Sequence, residues 1–171
     1  RDGFRAVVQA KPDDARSWVF KGLCEFELRS YDRALADLQR GSMLGIPTRE
    51  IYHVATYHLG ILLTRHEQFE ESLEYLSVLA REGNESTSIA EALGLSVLRM
   101  AILPSELAPQ KREMVLMAGR ATVHWANGRR PAARAGYVEL LLRYPEAPNA
   151  HYAFGVLDEL TKDGKLRHYG V

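Results

Sequence analysis

Small residues recur inside helix-forming runs of this chain at a nearly fixed spacing. No other feature restricts the fold as much. Gly22, Gly60 and Gly94 each interrupt such a run, and Gly60 and Gly94 are 34 residues apart, an interval repeated between Ala121 and Gly155. Gly22 and Gly60 are 38 apart, an insertion of four, whereas Gly94 to Ala121 is only 27, so one unit is cut short there. A glycine inside a helix costs about 1 kcal/mol relative to alanine. Repeating that cost at matched places points to helices whose backbones approach closely. Ala34, Ser72 and Ala133 each stand 12 residues beyond Gly22, Gly60 and Ala121, and Leu38, Leu76 and Tyr137 follow four later. Small residues at facing positions admit close antiparallel packing, and a larger residue one turn on locks the pair.

The rest of the chain agrees. Sustained alternation of apolar and polar residues, the mark of strands, is nearly absent. Helical runs are broken at short intervals by Gly, Pro, Asn and Asp. The expected fold is all-α, and a recurring period selects a stack of antiparallel hairpins, a solenoid, over a simple bundle. Residues 1–11 read as the second helix of a preceding unit, which fits a segment of a longer protein. Hairpins are expected over 15–44 and 50–83, a lone helix over 87–102, another hairpin over 110–144 and a final first helix over 148–160. Pro104 and Pro109 bar a continuous helix across 103–109. The tail 161–171 carries a turn signal at Asp163-Gly164 and is assigned no element.

Trp18, Lys21 and Gly22, followed by Ala34 and Leu38, resemble the tetratricopeptide repeat pattern, and Pro12 and Pro145 fall where that family ends a repeat. The resemblance runs to about Leu160. Lys21 stands where the family has leucine and Glu25 where it has tyrosine. The unit beginning near Thr87 lacks a clear second helix. The resemblance implies a superhelix whose first helices line a concave groove that holds a protein or peptide partner. It is compatible with either cytoplasm or periplasm.

Carried over by spacing, the groove positions are Arg16, Val19, Leu23, Phe26 and Glu27, then Val54, Tyr57, Ile61, Thr64 and Arg65. Ser88, Glu91, Leu95, Leu98 and Arg99 follow, and then Thr122, Trp125, Asn149, Tyr152 and Val156. Of these, Arg16, Val19, Leu23, Phe26, Tyr57, Ile61, Arg65, Leu95, Arg99, Trp125 and Tyr152 are the expected partner-binding set. Tyr, Trp and Arg are the types most enriched among binding hot spots. The set favours an apolar, extended or helical partner segment. Relatives that grip acidic C-terminal tails use Lys, Asn and Arg in this groove. Val19, Leu23, Tyr57 and Ile61 occupy the matching places, which argues against such a clamp. The other occupant of those residues is the core itself.

Composition narrows the remaining classes. Lys and Arg total 22, as do Asp and Glu, so the net charge is zero. No basic run is longer than a pair such as Arg129-Arg130, and no basic stripe suggests nucleic acid. No apolar run is long enough to span a bilayer. Cys24 is the single cysteine, so no internal disulfide forms; within an apolar run it reads as a small core residue. The six histidines do not fall at the three- or four-residue spacing of a helical metal pair. There is no nucleophile elbow and no phosphate-cradling glycine loop. The residues therefore call for no catalysis and no cofactor. A second role for the chain is self-association, or docking within a larger protein, through exposed terminal helices.

Overall fold

The computed structural model describes residues 2–151, 153 and 155. Among them are eight α-helices and no strand. They are α1 (Asp2–Ala10), α2 (Ala15–Glu27), α3 (Tyr31–Leu44), α4 (Arg49–Arg65), α5 (Phe69–Arg81), α6 (Thr87–Val97), α7 (Arg112–Ala126) and α8 (Arg130–Arg143). The tail 161–171 lies outside the described residues, as does most of the expected last helix, 148–160.

Local chemistry sets where the helices begin and end. The Asp14 carboxylate accepts from the Ser17 amide at 3.3 Å and caps α2, and Ser86 caps α6 by accepting from Ile89 N–H. These side chains satisfy amides that the first helical turn leaves without partners. Five helices, α2, α4, α5, α6 and α7, end in one motif. After α2 the Arg29 amide bonds to Phe26 O at 2.9 Å and the Ser30 amide to Glu25 O at 2.8 Å. The same two bonds recur after the other four, at Glu67–Gln68, Gly83–Asn84, Arg99–Met100 and Gly128–Arg129. This is the Schellman turn, which needs its central residue in the left-handed region. Gly83 and Gly128 supply that conformation freely, while Arg29, Glu67 and Arg99 adopt it with side chains, at φ 58°, 63° and 54°.

The spaced small residues stand at the helix crossings. A Cβ on Gly22 would meet Leu38 Cγ at 2.7 Å, and one on Gly136 would meet Ala121 Cβ at 2.9 Å. On Gly60 it would meet Leu76. The hairpins α2/α3, α4/α5 and α7/α8 follow, with their helices antiparallel. Buried hydroxyls reinforce two of them: Ser72 donates to Gly60 O at 2.8 Å, and Thr122 bonds the Tyr137 hydroxyl. The departure at Lys21 also has a physical reason. Its ammonium reaches Asp37 of α3 at 2.6 Å, a largely buried ion pair that ties the first hairpin.

Helix α6 ends at Val97, and no α-helix lies between it and α7; the connection holds two 3-10 turns, Pro104–Glu106 and Pro109–Lys111. Each begins at a proline, whose missing N–H leaves no donor to satisfy there. Yet α6 is not alone. Gly94 lies against Val115 and Gly119 against Ala90, so α7 packs antiparallel on α6. A Cβ on either glycine would run into the backbone of the other helix. Helix α7 thus serves two partners: its Gly119 side meets α6 and its Ala121 meets Gly136 of α8. Every residue of α6 from Ile89 to Val97 is buried.

Candidate functional site

The first helices of the opening units, α2, α4 and α6, neighbour one another along one side of the array. On α2 and α4 this side carries a run of aromatic rings. Phe26 meets His58 edge to face at 4.8 Å between ring centroids. His58 meets Tyr57 at 5.5 Å in the same manner, and Phe26 meets Tyr31 at 5.5 Å. All four are partly exposed, and Val54, one turn before His58, is 43% exposed. Edge-to-face contacts of this kind add to the stability that area burial provides. They set the rings against one another.

Protonation of the patch follows from its bonds. His58 Nδ1 lies 2.8 Å from Val54 O. A carbonyl only accepts, so Nδ1 carries the proton and a neutral ring presents Nε2 as an acceptor. Burial holds the imidazole pKa below its ordinary value, against the opposing pull of the Val54 bond and the Glu27 carboxylate. Burial, with the Glu91 carboxylate adding to it, raises the Tyr57 phenol. Near neutral pH the patch therefore presents neutral rings. Glu27, the last residue of α2, is exposed and makes no ion pair among the described residues.

The structure brings together part of the expected binding set. Leu23, Phe26 and Tyr57 are partly exposed and belong to the patch or its edge. Val19 (0% exposed), Ile61 (4%) and Leu95 (1%) are packed in the interior and act as core side chains. Arg16 is exposed at the start of α2, beside Asp14. Arg65 stacks over Tyr31 at 4.8 Å and pairs with Glu106 at 3.5 Å. Arg99 packs over Phe69 and pairs with Glu70. Trp125 packs against the cluster formed by α6, α7 and α8. Because α7 runs antiparallel to α6, Trp125 sits towards the start of α6, at the opposite end from Arg99. Tyr152 lies outside the described residues. His58 was missing from the expected set; its one available signal is its place four residues after Val54 on the same helix face.

This geometry defines a helical-hairpin repeat protein. The sequence model of the tetratricopeptide repeat family matches residues 2–41 and 119–162. The chain is a tetratricopeptide repeat protein. No curated protein and no solved structure matched it in comparison. Repeats of this family generally mediate protein–protein interaction and are typically non-catalytic. No described helix is long and apolar enough to cross a membrane.

Proposed function

We propose that the chain is an interaction scaffold that seats an apolar segment of a protein partner across α2 and α4, on Phe26, Tyr57, His58, Val54 and Leu23. The observation that carries this reading is the aromatic patch, left partly open on α2 and α4. The reading assigns the chain no catalytic step and no cofactor. Burial of apolar surface, at roughly 25 cal/mol per Å² before ordering costs, supplies the affinity. A pull-down with the chain as bait tests it, against a Phe26→Ala/Tyr57→Ala control whose helicity is checked by circular dichroism. A partner held by the first and lost by the folded control supports the reading. A partner indifferent to both changes refutes it.

Self-association is the second reading, favoured by Val138 (41% exposed) and Leu142 (78%), one turn apart on α8. Sedimentation equilibrium decides it: mass that grows with concentration and is reset by Leu142→Glu supports a dimer, and constant mass excludes one.

A further inference from the structure

Among the described residues, Lys21, Arg65, Arg99 and Arg143 are each held against an aromatic ring with a carboxylate beside them. Lys21 lies 5.3 Å from the Trp18 ring and pairs with Asp37. Arg65 lies over Tyr31 and pairs with Glu106. Arg99 lies 5.4 Å from the Phe69 ring and pairs with Glu70. Arg143 lies 5.7 Å from the Tyr144 ring and pairs with Glu113 at 2.8 Å. The ring face attracts the cation and the carboxylate fixes its position.

The patch on α2 and α4 has the rings and a carboxylate, Glu27, that forms no ion pair among the described residues. Glu27 acts electrostatically on the His58 ring, which stacks edge to face with Phe26 and Tyr57. Burial keeps that imidazole neutral, so it does not itself fill the cation's place. Two nearby arginines are paired with other carboxylates, Arg65 with Glu106 and Arg112 with Glu91 at 3.0 Å.

We infer that this face recognises a lysine or arginine side chain of the partner segment, set against the rings of Phe26, Tyr57 and His58 with its charge facing Glu27. The inference rests on the binding role proposed above and narrows it. The partner is an apolar segment carrying at least one basic residue, not an acidic tail. The charge makes the contact selective, because an acidic residue at that position meets Glu27 with repulsion.

The test is a selection of randomised ten-residue peptides displayed against the full chain, followed by affinity measurements on the winners. The expected result is enrichment of Arg or Lys at one position. Replacing that residue by norleucine, or introducing Glu27→Gln, then weakens binding about fivefold each. The two losses do not add, because they remove the same contact. Glu27→Lys reverses the preference, so that a peptide with Glu at that position binds better than its basic parent. Glu27 is exposed, so these variants leave the fold intact. Winners without a basic residue, unmoved by Glu27→Gln, overturn the inference. If they are still lost on Tyr57→Ala, the binding role stands without the charge. Failure to select any peptide overturns the inference too, and the pull-down judges the binding role separately.

Discussion

Gly119 is the position where one added methyl group says most about the architecture. Its missing Cβ would point into the Ala90 carbonyl, and the neighbouring Gly94 faces the Val115 backbone in the same way. A side chain in the way could rotate; a backbone carbonyl cannot, so Gly119→Ala must push α6 and α7 apart. Overpacking a well-filled interior costs about 1–3 kcal/mol, and the rigid obstacle places this case at the upper end. Alanine recovers about 1 kcal/mol of helix propensity, leaving a net loss of about 2 kcal/mol. For a chain of this length that lowers Tm by about 4–8 °C. Gly3→Ala is the control: nothing lies within 4 Å of its Cβ, so it keeps only the propensity gain. Repeat arrays can unfold in parts, and the two tryptophans separate the parts. Trp125 reports α7, and Trp18 reports the first hairpin. Fluorescence-monitored urea unfolding should show the Trp125 transition of Gly119→Ala moving down and the Trp18 transition moving less. Stability equal to or above the parent's would refute the close α6–α7 crossing.

Further expectations follow from the turns, the buried pair and the patch. Arg29→Gly relieves a left-handed residue and should stabilise the chain by about 0.5–1 kcal/mol, whereas Gly128→Ala should destabilise it by about 1 kcal/mol, both read from urea midpoints. Removing one partner of the Lys21–Asp37 pair strands a largely buried charge. Asp37→Leu alone should cost about 3 kcal/mol and Lys21→Met/Asp37→Leu clearly less, a difference measured by a double-mutant cycle. The folded His58 pKa lies below its unfolded value, so the unfolded chain takes up the proton first as pH falls. The stability that neutral His58 contributes is therefore full above about pH 6.5 and is lost as pH falls through the folded pKa. His58→Gln should show a smaller loss of stability than the parent between pH 7 and 5.

The hairpins were legible from residues alone because each tight crossing needs a small residue, and the facing one comes a fixed 12 positions later. Gly22 with Ala34 and Gly60 with Ser72 obey that rule, whereas in the α7/α8 hairpin the close contacts, Ala121 with Gly136 and Thr122 with Tyr137, are 15 positions apart. Gly94 did not yield to it. Its partner, Val115, lies 21 residues on, beyond a loop whose path no local pattern specifies. The expected groove positions could be read only as a set of helix faces. Spacing places Val19, Ile61 and Leu95 on the right helices, but whether a neighbouring helix covers a face depends on tertiary packing. Here it fills those positions and leaves Phe26, Tyr57 and His58 partly open.

The missing helix between α6 and α7 has a consequence of parity. In an unbroken array every helix of first type points the same way; omitting one reverses all that follow. Helix α7, which opens its hairpin as α2 and α4 open theirs, runs opposite to them. The first hairpin, α2/α3, and the last, α7/α8, are thus joined tail against tail, like zip teeth set in from opposite ends. The aromatic side that α2 and α4 share cannot be continued past α6 by adding units of the same kind. A single helix inserted at 103–109 would restore the common direction.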